Sequence, residues 1–421
     1  MKRVIKLTIF FAVLSLLASC VSWGGNDNDT EPQTIKVLYW DKQSFFERYG
    51  NFLSLEFPNI EFDVVPLKQA YVGDVPPEEA LNKLIETEQP DLLHINYYDY
   101  LKLANSNTLQ SLESIKGLSD AISFKPVLDK LKATQNNELY GIAPSFNSNA
   151  VYVNLDLFEQ NGVSVPQSKL SWDEFINLVQ RFNVKPGLSF ENSDPFDFAV
   201  SLGFLQGLRI SDSNQKLLIN SDSWKEIFEE IKTLVSGGFV TLRSQSTGDL
   251  FSNTFMQGNS AMTIDTDNFN NLLLQQKEEK KVGFDWATIA LPYNTLNPSG
   301  ISAIILEDIF SINKESENKE AASKILEYIL SDEMSKITFN SARSLPSNAS
   351  EKFITDNNLA AFYAEGEPAN DINLEFEKYS DSFLQEFNEK GKEMTRKILD
   401  NETSVEDALM MLQKDISVTS D

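Results

Sequence analysis

The alternation of strand-like and helix-like segments after residue 33 most limits the folds open to this chain of 421 residues. Residues 34–40, 61–67 and 91–95 are short and rich in apolar side chains, as expected of strands covered on both faces. Between them, apolar residues recur at helical spacing, and Pro58 ends the first helix while Pro76-Pro77 begins the second. This order predicts right-handed crossovers and a parallel sheet, whose ligands bind at the carboxyl ends of the strands.

The rest of the chain continues the alternation. Capping boxes, in which a serine and a glutamate three residues later cap each other's backbone, predict helices that begin at Ser171 and Ser223. Trp172 and Trp224 follow these serines and are interpreted as packing residues. From about residue 370, strand patterns are absent and the chain is predicted to be helical. Further strands are predicted at residues 150–153, 260–264 and 302–306.

The N-terminal segment indicates export. A basic start is followed by an apolar run over residues 7–18, which is typical of a secretory signal and too short for a permanent membrane helix. The run ends in Leu17-Ala18-Ser19-Cys20, which resembles a bacterial lipobox, whose cysteine accepts a diacylglycerol after cleavage. This predicts a signal peptide at 1–19, lipidation at Cys20, a flexible linker at 20–33 and a protein anchored on the extracellular face of the cell membrane. An ordinary signal peptide that happens to contain a cysteine is the alternative.

Charge and cysteine content exclude several functions. The chain has 36 basic and 62 acidic residues and a net charge of −26, which disfavours binding to nucleic acid or to an anionic lipid surface. Cys20 is the sole cysteine, so no internal disulfide is possible. The roughly 390 residues after the linker exceed one comfortable core and favour two lobes.

Several motifs, in this order and spacing, resemble the central segments of family 1 extracellular solute-binding proteins. These are the substrate receptors of ABC importers, and the maltose-binding type is the best known. The resemblance extends over residues 34–415. The motifs that carry it are Leu139-Tyr140-Gly141-Ile142-Ala143-Pro144, Ala150-Val151-Tyr152-Val153-Asn154, Ser171-Trp172-Asp173-Glu174-Phe175, Gln257-Gly258-Asn259-Ser260-Ala261-Met262 and Ser344-Leu345-Pro346.

The resemblance implies an α/β, two-lobed, periplasmic-binding-protein-like fold of type II, with parallel-rich sheets flanked by helices and a ligand cleft between the lobes. It places the crossovers near residues 143–146, 291–294 and 344–347. The N-lobe would comprise 34–143 and 293–344, and the C-lobe 146–290 and 347–421. A small-molecule ligand, most simply a carbohydrate, and the permease of an ABC importer are the implied partners, and a monomer without cofactor or metal is expected.

Candidate ligand-binding residues lie where strands lead into loops at the predicted cleft. Aromatic faces stack on the apolar face of a sugar ring, and carboxylates and amides bind its hydroxyls. Any one of these aromatic residues could equally be ordinary core. The candidates are Trp40, Tyr97, Tyr98 and Asp99 after the first and third strands, Phe146, Asn147 and Asn149 at the first crossover, and Asp265, Asp267, Asn268 and Phe269 near residue 264.

One departure from the family leaves the ligand open. Sugar-binding members often carry glycine, proline and tryptophan after the strand that corresponds to 260–264, whereas this chain has Thr266-Asp267-Asn268-Phe269. The customary stacking tryptophan is therefore missing. Either Phe269 or Trp286 replaces it, or the ligand is not an ordinary oligosaccharide.

Catalytic patterns are scarce. His94 is the sole histidine and lies within an apolar strand, which favours a satisfied core histidine. The chain lacks a phosphate-binding glycine loop with its lysine, a dinucleotide fingerprint and a Gly-x-Ser-x-Gly elbow. The expectation is a binding protein and not an enzyme. A glycosidase with two carboxylates has no fixed spacing and stays an alternative, as does a surface sensor or adhesin without a transport role.

Overall fold

The computed structural model describes residues 33–72, 75–182, 186–191, 194–212, 214–243, 253–293, 295, 301–302, 304–342, 344–348, 358–364, 367–368, 376 and 379–416. The predicted signal peptide, Cys20 and the linker up to residue 32 lie outside these ranges. None of the described helices has both the length and the apolar character needed to cross a bilayer.

The described strands are mostly short, and their bounds follow the predicted alternation. They are β1 Gln33–Tyr39, β2 Ile60–Pro66, β3 Leu92–Ile95, β4 Gly141–Ile142, β5 Ser145–Phe146, β6 Asn149–Asn154, β7 Leu188–Glu191, β8 Val240–Arg243, β9 Met262–Thr266, β10 Trp286–Ile289, β11 Ile301–Ser302, β12 Ile309–Ile312, β13 Leu345–Pro346 and β14 Glu367–Pro368.

The described helices alternate with these strands. The α-helices are α1 Lys42–Phe45, α2 Asn51–Glu56, α3 Pro77–Glu88, α4 Tyr97–Asn105, α5 Leu118–Ala121, α6 Lys125–Leu131, α7 Leu155–Gln160, α8 Trp172–Val179, α9 Pro195–Leu205, α10 Asp222–Ser236, α11 Asp267–Glu278, α12 Lys319–Ile329, α13 Asp332–Ala342, α14 Asp381–Leu399 and α15 Val405–Asp415. A π-helical turn, Phe46–Gly50, joins α1 to α2, and 3₁₀ turns occupy Leu67–Tyr71 and Ala360–Tyr363.

Two five-stranded sheets form the centres of two lobes. The N-lobe sheet has the order β2-β1-β3-β12-β4, and the C-lobe sheet has the order β10-β6-β9-β7-β8. The predicted parallel pairing of the first three strands is confirmed, because β1 runs parallel to both β2 and β3. Both sheets are mixed, since β12 is antiparallel to β3 and β4, and β6 is antiparallel to β9 and β10. The fold is thus the expected two-lobed α/β arrangement with fewer parallel pairs.

Two details of the predicted secondary structure are wrong. The strand predicted at 302–306 does not join the N-lobe sheet, which instead takes its fourth strand from Ile309–Ile312. The apolar run before Glu307 instead lies where the lobes are connected. There, Ile305 forms an isolated antiparallel β-bridge with Asn147. The helix predicted to begin at Ser223 begins at Asp222, because Ser221 occupies the N-cap position.

Other local predictions are confirmed. The capping box of Ser171 and Glu174 is present in full, with each side chain bound to the other's backbone N–H. Trp172 and Trp224 are buried among core residues of the C-lobe. Helix α3 begins at Pro77, where the missing N–H of proline leaves no intrahelical bond unmade.

Candidate functional site

A cavity of about 300 Å³ lies between the lobes, beside the segments that connect them. Residues of the first crossover, of the start of α11 in the C-lobe and of the N-lobe segment before β12 line this cavity. Concave sites at domain interfaces with a few convergent polar groups are common ligand sites. The residues that line it are Arg48, Ser145, Phe146, Asn147, Asn268, Ile305, Glu307, Asp308 and Ser344.

Backbone pairing holds the connecting segments together at this cavity. Strand β5 of the first crossover pairs antiparallel with β13, so that Phe146 lies opposite Leu345. Asn147 and Ile305 exchange backbone hydrogen bonds of 3.0 and 2.8 Å. The side-chain amide of Asn147 also donates to Glu307 Oε2 at 3.1 Å. Residues distant in sequence therefore converge on one wall of the cavity.

The side chain of Phe146 packs against other aromatic rings behind this wall of the cavity. Its ring is 2% exposed and stacks on Phe124 with centroids 5.0 Å apart, while Tyr363 packs edge-on at 5.3 Å. The Tyr363 hydroxyl donates to the carbonyl of Pro346 at 3.0 Å and so ties this aromatic group to β13. The predicted ligand residue Phe146 thus lies at the cavity but mainly packs against other aromatic rings.

An ion cluster forms the N-lobe side of the cavity. Arg48 donates to both oxygens of Asp308, from Nη1 at 3.2 Å and from Nη2 at 2.6 Å. His94 Nε2 lies 2.9 Å from Asp308 Oδ1, which confirms the interpretation of His94 as a satisfied histidine. Burial would raise the pKa of Asp308, but His94 and then Arg48 hold the pKa well below its usual range. Asp308 is therefore ionised and fixes the guanidinium of Arg48 in place.

Asp267 connects the first crossover to the C-lobe. Its Oδ1 accepts from the N–H of Ser148 at 3.0 Å, and its own N–H donates to the carbonyl of Ser148 at 3.0 Å. Its Oδ2 is buried and has no hydrogen-bond partner among the described residues. Burial raises the pKa of Asp267 to about 7, and the charges of Glu307 and Asp265 add to the rise. This carboxyl group therefore titrates near neutral pH.

A second group of polar and aromatic residues occupies the carboxyl edge of the N-lobe sheet. Trp40, which is 48% exposed, packs on Tyr71 with ring centroids 5.8 Å apart. Behind them, Asp99 accepts from Asn96 Nδ2 at 2.8 Å and from the Tyr71 hydroxyl at 3.5 Å. Burial raises the pKa of Asp99 above its usual value. The pair of exposed rings with a carboxylate behind them is typical of a surface that binds sugar rings.

The predicted site residues divide into three groups. Phe146, Asn147 and Asn268 line the interlobe cavity. Trp40, Tyr98 and Asp99 lie at the carboxyl edge of the N-lobe sheet, where Lys102 Nζ lies 4.3 Å from the Tyr98 ring. The others lie in or beside the C-lobe sheet or in a core, and they are Asn149, Asp265 and Asp267 at the ends of β6 and β9, Phe269 in the core, and Tyr97 in the N-lobe core.

Besides Phe146, two of the predicted aromatic binding residues are buried. Tyr97 is 7% exposed, and its hydroxyl donates to the carbonyl of Lys130 at 2.9 Å. Phe269 is 6% exposed and packs edge-on against Tyr152 at 5.1 Å. Trp286, considered as a replacement for the missing tryptophan, is also buried, and its Nε1 donates to Asn270 at 3.0 Å. These rings lie in the positions of core residues.

Sequence reasoning missed seven residues that lie at the interlobe cavity or beside Trp40. They are Arg48, Tyr71, Ser145, Ile305, Glu307, Asp308 and Ser344. Glu307-Asp308 interrupts an apolar run directly before a buried strand, a pattern that could have marked a polar site at the strand end. Arg48 gives no such signal, since its neighbours only predict an amphipathic helix.

Among the described residues, no group of three or more histidine, cysteine, aspartate or glutamate side chains could hold a metal ion. The arrangement can instead donate and accept hydrogen bonds to an uncharged polar solute from both lobes at once.

Comparison with known proteins identifies similar chains. A family model described as bacterial extracellular solute-binding protein matches residues 75–361. No curated protein sequence matches the chain significantly.

Solved structures with this fold are similar over nearly their whole length. The sugar-binding protein MalE from Xanthomonas citri is 18% identical, with a TM-score of 0.67 over 91% of this chain and 96% of its own. A family 1 extracellular solute-binding protein from Alicyclobacillus acidocaldarius is 16% identical, with a TM-score of 0.68 over 92% and 98%. The apo form of RafE from Streptococcus pneumoniae is 17% identical, with a TM-score of 0.65 over 93% and 98%. At these identities, the likeness shows the fold.

Proposed function

We propose that this chain, which belongs to the bacterial extracellular solute-binding protein family, captures a sugar or short oligosaccharide between its lobes for an ABC importer. The interlobe cavity carries the proposal. Its amide, hydroxyl and carboxylate groups can both donate to and accept from sugar hydroxyls. The sugar-binding function in the name of the MalE neighbour supports the same ligand class.

The spacing of polar and aromatic groups favours more than one sugar ring. The cavity lies at β12, while Trp40 follows β1, two positions away in the sheet order β1-β3-β12. Adjacent strands are about 4.8 Å apart, so the two groups are separated by roughly 10 Å along the sheet edge. One ring in the cavity and another on Trp40 and Tyr71 would occupy both groups. An oligosaccharide satisfies this arrangement better than a single ring.

The N-terminal pattern adds a membrane anchor to the proposal. Lipidation of Cys20 would attach a diacylglycerol, and two acyl chains hold a protein on a membrane far more firmly than one. The protein would then work as a monomer on the extracellular face of the cell membrane, beside the permease of its importer. Family members are solute-binding proteins, so the solute is expected to be released chemically unchanged.

A thermal-shift screen of the purified protein against maltotriose, raffinose and other neutral oligosaccharides tests this function. A sugar at 100 times its dissociation constant should raise the free energy of unfolding by about 2.7 kcal/mol. Trp40→Ala should lose most of this rise because it removes the exposed stacking face. Leu55→Ala, which alters another exposed apolar side chain of the N-lobe, should keep the rise.

Recovery of the sugar completes the test. After long incubation the bound sugar should be recovered intact, whereas a shortened product would favour the glycosidase alternative. If no sugar raises the unfolding temperature, the carbohydrate assignment is wrong. If Trp40→Ala binds the sugar as tightly as the wild type, the stacking surface lies elsewhere in the cleft.

A further inference from the structure

The charged groups around the interlobe cavity do not balance. Among the described residues that line it, Arg48 is the one cation, and both of its terminal nitrogens donate to Asp308. Its guanidinium also lies 5.5 Å from the ring centroid of Tyr49. Since Asp308 neutralises Arg48 in a bidentate pair, little of this positive charge is available to an anionic ligand.

Glu307 adds a negative charge to the lining of the cavity. It lines the cavity and is exposed, and its Oε2 accepts from the neutral amide of Asn147 at 3.1 Å. Within the described ranges, no lysine, arginine or histidine forms an ion pair with Glu307, whereas Asp308 next to it has two such partners. The negative charge of Glu307 therefore acts on whatever enters the cavity.

Asp267 lies on the C-lobe side, next to the cavity residue Asn268. It is 2% exposed, and its Oδ2 lacks a hydrogen-bond partner among the described residues. Burial raises the pKa of Asp267 to about 7, so this carboxyl group is mostly protonated at acidic pH. Glu307, which lines the cavity, is then the carboxylate outside the Arg48–Asp308 pair that acts on a bound solute.

We propose that the cavity selects solutes that carry a protonated amine, such as amino sugars, over uncharged or acidic sugars of similar size, and that Glu307 sets this preference. The inference rests on the proposed function, because it concerns the same site. An ammonium group can donate several hydrogen bonds and offsets the charge of Glu307, whereas a carboxylate or phosphate would be repelled. A neutral sugar can bind to the same hydroxyl and amide groups but gains nothing from the field.

Calorimetric titration with three probes tests this preference. They are the glucosamine trisaccharide of chitosan, its N-acetylated counterpart and trigalacturonate, in a buffer that keeps the glucosamine amines protonated. The amine-bearing trisaccharide should bind at least about tenfold more tightly than the acetylated one, and trigalacturonate should bind weakest. Glu307→Gln should abolish most of this ratio by weakening binding of the amine-bearing probe.

Glu317→Gln is the matched control, because it removes the same charge from an exposed position of the same lobe. It should keep the ratio, which separates the local effect from the acidity of the whole chain. Equal or tighter binding of the acetylated or acidic probe overturns the inference, and so does an unchanged ratio in Glu307→Gln. If a neutral oligosaccharide of the thermal-shift screen binds but none of the three probes does, the inference fails and the proposed function stands. If no sugar binds at all, the proposed function fails as well.

Discussion

Asp308→Ala should lower the free energy of unfolding by about 2 to 4 kcal/mol, measured by chemical denaturation. The substitution leaves the Arg48 guanidinium and the His94 ring without the carboxylate that both contact, at 2.6 and 2.9 Å. Loss of one partner of a fully buried ion pair costs about 3 to 5 kcal/mol. The expected cost is smaller here because the side chain of Arg48 is 35% exposed and water can solvate part of it.

The exposed pair Lys324–Glu320 provides the control for Asp308. Its atoms are 2.8 Å apart on the surface of α12, with side chains 60% and 87% exposed. Glu320→Ala should therefore leave the free energy of unfolding almost unchanged. The double variant Arg48→Met/Asp308→Ala should recover part of the loss, since no uncompensated charge remains. A cost for Asp308→Ala as small as that of Glu320→Ala would contradict a supporting role of the ion cluster.

Asp267→Asn should change the pH dependence of stability. The pKa of Asp267 is raised from 3.8 to about 7 in the folded protein, so between these values the folded state binds more protons than the unfolded state. Stability from this group is fully present below the unfolded pKa and is lost as the pH rises toward 7. The loss amounts to at most about 4 kcal/mol, because each tenfold difference in proton affinity between the two states corresponds to about 1.36 kcal/mol.

Asparagine cannot ionise, and its Oδ1 can still accept from the N–H of Ser148. The advantage of the variant over the wild type should therefore grow with pH until about the folded pKa of 7 and then stay constant. Asp63→Asn, at an exposed position of β2, should show no such growth. Denaturation curves across this pH range measure the difference. A difference that does not vary with pH would mean that Asp267 ionises normally in the folded protein.

The fold was largely predictable because local patterns and long-range structure agree. Apolar strands between amphipathic helices permit few arrangements, and the parallel pairs of β1 with β2 and β3 follow from them. The error at residues 302–306 has a physical cause. Both this segment and Ile309–Ile312 are apolar, so composition does not distinguish them. Their pairing partners decide which one enters the sheet: Ile305 pairs with Asn147, whereas Ile309–Ile312 pairs with β3 and β4.

The candidate site was less predictable because the type of a residue does not reveal whether its side chain points into the core or toward the cavity. Tyr97 and Trp40 both follow strands, yet Tyr97 is 7% exposed and Trp40 is 48% exposed. Tyr71 and Arg48 reach the cleft from helical segments whose sequences indicate only packing. Glu307 gains its place from hydrogen bonding to Asn147, 160 residues away along the chain. Contacts between residues so far apart along the chain form only when both lobes are folded.

A distance between the lobes, measured with and without sugar, tests most directly whether the solute binds in the cleft. Cys20 is the sole cysteine, so Val72→Cys and Leu274→Cys in a Cys20→Ser background allow one spin label on each lobe. Both side chains are exposed, at 80% and 38%. Double electron–electron resonance should show a shorter distance when the sugar with the largest thermal shift is added, and the original distance after its removal. Saturating, reversible binding with an unchanged distance distribution would contradict capture between the lobes.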